Sequence, residues 1–115
     1  MQIVDNATVR LNASFTEPTK SVDASPLSDL HHTTIYGQVG TNPASSLVTT
    51  PASALGGGGL INTTVLVPAP AGVLTKMDLW VTATDITGNE SPPSTHVTVN
   101  IDRIGPAAPT NFTVA

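Results

Sequence analysis

The feature that most constrains this chain is strict apolar–polar alternation between Lys76 and Ile101. Met77, Leu79, Val81 and Ala83 alternate with Asp78, Trp80, Thr82 and Thr84. Side chains of a strand point to opposite faces in turn, so this pattern predicts a strand with one buried face. Ile86–Ser94 then brings Gly, Asn and Pro, residues that reverse a chain. From Thr95 to Ile101 the alternation resumes, with Val97, Val99 and Ile101 against His96, Thr98 and Asn100. Two strands across a polar turn make a hairpin, and the other segments are read as strands added around it.

Upstream, Ala7–Thr16 predicts a strand with Val9, Leu11, Ala13 and Phe15 on one face. Thr33–Val39 is the next, with Thr33 and Ile35 inward and Thr34 and Tyr36 outward. Between them lies a polar connection broken by Pro18 and Pro26. Ser46–Thr49 reads as a short edge strand bracketed by Pro43 and Pro51. The run Gly56–Gly59 reads as a mobile loop tip, and Leu60–Val67 as a strand with Ile61, Val65 and Val67 inward. No amphipathic helix is found, so the expected fold is all-β, a two-sheet sandwich. Its core is expected from Val9, Leu11, Phe15, Ile35, Leu79, Val81, Val97 and Val99. On that parity Leu79→Ala costs about 2–5 kcal/mol, whereas Trp80→Ala leaves stability nearly unchanged.

A family resemblance rests on the same hairpin. Val81-Thr-Ala-Thr-Asp85, Gly88-Asn-Glu-Ser91, Pro93-Ser94 and Val97-x-Val99 resemble the last two strands of a fibronectin type III domain. Ala13-Ser-Phe-Thr-Glu-Pro18 resembles that family's second strand, with Phe15 where a Trp is usual. Pro26-Leu-Ser-Asp-Leu30 before Ile35-Tyr36-Gly37 resembles its approach to the third. Met77 stands where the family has the Tyr of its corner motif, and Thr33 replaces another core Tyr, so the resemblance is to a divergent or immunoglobulin-like member. It implies a fibronectin type III-like sandwich over residues 1–101, followed by a Pro-rich linker and strand-like docking tail over 102–115. It also implies a scaffold for binding and spacing rather than an enzyme.

Composition narrows the function classes. The 115 residues contain no Cys, which excludes disulfides and thiolate metal sites. Four Lys plus Arg against eight Asp plus Glu give a net charge of −4, which argues against a nucleic-acid partner. No apolar run approaches the ~20 residues that span a bilayer, so no membrane partner is expected. Met1–Asp5 lacks the basic start and apolar core of a secretory leader, which points either to synthesis and residence in a cytoplasm or to a leader that has been removed.

No catalytic, cofactor or metal site is expected. Neighbouring His31 and His32 should point to opposite faces of a strand. Asp85, Asn89 and Glu90 have the oxygen donors calcium takes, but Asp and Asn are equally the ordinary side chains of a turn. No Ser sits in a nucleophile elbow. The glycine run lacks the Lys-Ser/Thr of a phosphate loop. Sequons at Asn6, Asn12, Asn62 and Asn111 fall within an Asn- and Thr-rich composition and are read as chance.

Contact surfaces remain. Trp80 and Tyr36 share outward parity on strands that the resemblance makes neighbours, and His96 points the same way. Large aromatics left outside a fold mark contact sites. The second candidate is the end of the chain, where Pro106-Ala-Ala-Pro109 and Thr110–Ala115 resemble the lead and first strand of a fibronectin type III domain, displaced from its start. Phe112 and Val114 on that segment are expected to fill pockets while it pairs with a sheet edge of another subunit. The expected function is a structural or binding protein of a large assembly. The leading form is a bacteriophage virion component made in the host cytoplasm, such as a capsid decoration or tail protein. Its partners would be its own copies, as a homo-oligomer, or a major capsid or tail protein. The alternative is an extracellular spacer, carbohydrate or adhesion module of a secreted bacterial protein.

Overall fold

The computed structural model describes residues 1–115 and contains seven strands and no helix. They are β1 (Gln2–Ile3), β2 (Thr8–Thr16), β3 (Leu30–Val39), β4 (Ser45–Pro51), β5 (Leu60–Pro68), β6 (Leu74–Asp85) and β7 (Val97–Asp102). They form two antiparallel sheets, a three-stranded one in the order β1-β2-β5 and a four-stranded one in the order β4-β3-β6-β7. One hydrophobic core joins the sheets. Val9, Val65 and Val67 from the first meet Ile35, Met77 and Ile101 from the second, with Ala69 beside them. The alternation along β2, β5 and β6 places these residues, because each second side chain faces the other sheet.

That core is closed at one end and open along one side. Val9, Val67, Met77 and Ile101 are fully enclosed, but Leu11, Phe15, Leu79, Val81 and Val99 are only half-buried. Val97, expected in the core, is 59% exposed. Its parity is inward, but β1 is too short to cover it. β1 meets β2 only at Gln2↔Arg10 and Ile3↔Val9, so beyond Arg10 nothing lies along the outer edge of β2. β7 likewise has no strand on its outer side.

Other expectations are corrected by local geometry. A bulge at His31, between the pairs Leu30↔Asp85 and His32↔Thr84, cancels the alternation there. His31 and His32 therefore do not point apart. Their Nδ1 atoms are 2.7 Å apart and the rings meet edge to face. Thr34, expected outward and open, is buried, as is Thr82 beside it. The β6–β7 connection folds back over that face, where the Glu90 carboxylate accepts from Thr82 Oγ1 at 2.8 Å. Thr33 is buried inward, and its hydroxyl has no hydrogen-bond partner.

The glycine run is a packed corner rather than a loop tip. Gly57 has φ +66°, and a Cβ there would lie 2.0 Å from the Pro18 carbonyl oxygen. Glu17, 2% exposed, holds the corner together. Its carboxylate accepts from the Ser53 amide at 3.0 Å, the Gly59 amide at 3.0 Å and the Ser53 hydroxyl. Burial pushes the Glu17 carboxyl up, and the Ser53 and Gly59 donors outweigh it, so the net shift is below the ordinary value.

Beyond β7 the chain is pinned once more and then leaves. Arg103 pairs its backbone with Val73 and Gly72 and donates from Nη1 to the Ala69 carbonyl at 2.7 Å. Residues 105–115 form no strand and are exposed. The longest strand, β6, spans about 40 Å at ~3.4 Å per residue. The molecule is 74 Å long, so the tail projects away from the sheets.

Candidate functional site

The outer face of the four-stranded sheet carries a row of rings. Tyr36 and Trp80 are direct partners in the β3–β6 register, and the next rung, Leu79↔Val97, places His96 beside Trp80. Their side chains share one face because cross-strand partners do. Tyr36 and Trp80 stack with centroids 6.0 Å apart and planes 17° apart. Trp80 and His96 stack at 4.4 Å and 11°. Three near-parallel rings thus cross β3, β6 and the start of β7. Tyr36 and Trp80 are half-buried, and His96 is exposed.

Glu90 fixes one end of the row. The Tyr36 hydroxyl donates to its carboxylate at 2.7 Å, on the same oxygen that Thr82 reaches. The hydrogen bond from Tyr36, then that from Thr82, holds the Glu90 carboxyl below its ordinary value. The same bond, with burial and the negative charge adding to it, holds the Tyr36 phenol above its ordinary value of 10.0. Thr98 donates to Asp78 at 2.6 Å on the neighbouring rung. The site is an aromatic row with a polar border that includes two carboxylates, Glu90 and Asp78.

The β6–β7 connection is also held from beneath. Past Val97, the edge of β6 is satisfied by serines instead of a strand. Ser91 and Ser94 donate their amides to the Ala83 and Val81 carbonyls, and their hydroxyls accept from the Ala83 and Val81 amides. This seats His96 and Glu90 against the row.

The oxygen donors at Asp85–Glu90 do not converge. Asp85 accepts from the Asn89 side chain and amide and from the Thr87 hydroxyl, the bonds of a turn, and the first of these chiefly lowers its carboxyl. Glu90 faces the opposite way, toward Tyr36.

Comparison with protein-family models, curated proteins and solved structures gives no match in any of the three.

Two of the sequence-derived contact residues stand apart from the row. Phe112 and Val114 lie on the projecting tail at 84% and 83% exposure, with no partner within the chain. Two features escaped the sequence analysis. One is the role of Glu90, whose only signal was a carboxylate following a turn. The other is a groove of about 520 Å3 along the open side of the core, where Leu11, Phe15, Leu79, Val81, Val97 and Val99 meet.

Proposed function

We propose that this chain is a non-enzymatic structural module that acts through protein–protein contacts, as a capsid decoration or tail component of a virion assembled in a host cytoplasm. The observation that carries the contact reading is the Tyr36–Trp80–His96 stack. A preordered row of rings on a sheet face presents a large apolar area that loses little side-chain freedom on binding. Its border of Thr side chains supplies the polar rim such interfaces use. The strand order β1-β2-β5 against β4-β3-β6-β7 supports the fibronectin type III-like topology that the resemblance implies. The absence of Cys suits assembly in a reducing compartment.

The test is to probe purified particles from the source with antibody to this chain and to compare recovery of wild type with Trp80→Ala. Co-purification of the wild-type chain with particles, and its loss in the variant, is the expected result. Recovery from the medium behind a cleaved leader would replace this reading with that of a secreted spacer module. Equal particle binding by Trp80→Ala would remove the aromatic row from the interface.

A further inference from the structure

β5 is a long sheet edge that nothing in its own sequence guards. It borders the three-stranded sheet, with β2 on one side and no strand on the other. Proteins blunt such edges with bulges, charges, prolines or short length. β4 pairs through a register shift between Ile35 and Tyr36 and ends in Pro51. β7 is six residues long and ends in Asp102. β5 runs nine residues, pairs with β2 without a shift and carries no charge, and its one proline comes last.

The backbone of this edge is free to pair. The bonds from the Ala69 amide to the Ala7 carbonyl and from the Glu17 amide to the Gly59 carbonyl set the phase of the β2–β5 ladder. Ile61, Thr63, Val65 and Val67 therefore turn their backbone groups to β2, and Leu60, Asn62, Thr64 and Leu66 turn theirs outward. The Thr63 hydroxyl lies 3.5 Å from the Thr64 carbonyl, too long to satisfy it. On the outer face, Leu60 and Leu66 are 65% and 51% exposed.

The edge is also symmetric in sequence. Leu60-Ile-Asn-Thr-Thr-Val-Leu66 reads alike in both directions about Thr63: Leu60 matches Leu66, Ile61 matches Val65, and Asn62 matches Thr64 in polarity. A twofold axis pairs each residue with its mirror position in the second copy. We infer that β5 pairs antiparallel with β5 of a second copy of this chain, with the axis at Thr63. Leu60 then lies opposite the partner's Leu66, and Asn62 opposite the partner's Thr64. All four outward residues exchange both backbone bonds across the seam. The exposed leucines cover one another, and each Asn amide meets a Thr hydroxyl. β5 holds none of the four basic and eight acidic residues, so chains of net charge −4 meet there without like charges in register.

The leucines select this register. An axis at Asn62 sets Leu66 opposite Gly58, and an axis at Thr64 sets Leu60 opposite Pro68, which has no N–H to give. The seam goes beyond the aromatic contact, because Tyr36 and Trp80 lie on the other sheet. One copy can hold a second through β5 and a further protein through the row.

Residues opposed in a non-hydrogen-bonded pair have Cα atoms about 4.5 Å apart, within disulfide reach. In this Cys-free chain, Thr63→Cys should give a covalent dimer under mild oxidation. Asn62→Cys and Thr64→Cys, each diagonal to its own copy, should stay largely uncoupled. In sedimentation of the full chain, Leu60→Lys/Leu66→Lys and Thr64→Pro should each weaken dimerisation by at least about tenfold. These side chains are exposed and the Thr64 N–H faces away from β2, so circular dichroism should show both variants folded. A wild-type chain monomeric at millimolar concentration, cross-linking through Asn62 or Thr64 as fast as through Thr63, or a dimer unmoved by both variants would overturn the proposal. Trp80→Ala should dimerise as wild type does. If particles bind wild type and not Trp80→Ala while no β5 pairing forms, the seam falls and the contact reading stands.

Discussion

Glu17→Ala strands the donors of the glycine corner, and the cost follows from what each donor loses. Three groups bond this carboxylate: two backbone amides and the Ser53 hydroxyl. Ser53 is exposed, so its hydroxyl rotates to water and is left out of the sum. Each amide without an acceptor costs roughly 1–3 kcal/mol, which gives about 2–6 kcal/mol for the pair. Relief from burying a carboxylate offsets part of this, so the expected loss is about 2–4 kcal/mol. For a domain of this size about 4 °C of Tm accompanies each kcal/mol, a drop of roughly 8–16 °C. The pH dependence carries a second signature. The folded-state carboxyl lies below its ordinary value of 4.5. Its contribution is therefore complete above that value and is lost as pH falls through the lower folded one. Glu17→Gln removes this part of the acid limb, so its Tm should fall less between pH 5 and pH 3 than that of wild type. Thermal melts by circular dichroism read both effects. A Glu17→Ala chain melting within about 2 °C of wild type, or an unchanged acid limb in Glu17→Gln, would refute the latch.

Glu90→Gln should return the Tyr36 phenol toward 10.0 in an ultraviolet pH titration, since the anionic acceptor that raises it is gone. Met77→Ala should cost about 2–5 kcal/mol in denaturant melts, as its side chain is fully enclosed. Leu79→Ala, on the open groove, should cost less than Met77→Ala. Trp80→Ala, expected from sequence to be nearly neutral, should cost about 1–3 kcal/mol because it removes two stacked pairs at ~0.5–1.5 kcal/mol each. Gly57→Ala should lower Tm strongly, since its Cβ meets the Pro18 carbonyl and its φ is left-handed; an unchanged melt would show that the corner yields.

Alternation carried most of the fold. Strands β2, β5 and β6 were legible because their inward and outward residues differ in polarity at every step, and the aromatic row followed from the same parity. Parity does not report coverage, however. Val97 has the right phase for a core residue and lies bare because β1 is two residues long. Thr34 has the phase of a surface residue and lies buried because a distant connection folds over it. The bulge at His31 left no local mark, since a single extra residue changes phase without changing composition. Glu17 sat among prolines as one acid in a polar stretch, and only the chain's return at Ser53 and Gly59 makes it an anchor.

The half-covered residues beside β2 carry a consequence for how the molecule opens. Val9 and Val67 sit in the enclosed end of the core, whereas Phe15 and Ile61, paired in the same ladder, sit at its half-buried end. That end relies instead on the bonds from the Ser53 and Gly59 amides to Glu17. Local opening is easiest where few apolar contacts hold the backbone, so loss of those bonds frees the Phe15 end before the Val9 end. Amide exchange in Glu17→Ala should therefore quicken at Phe15 far more than at Val9.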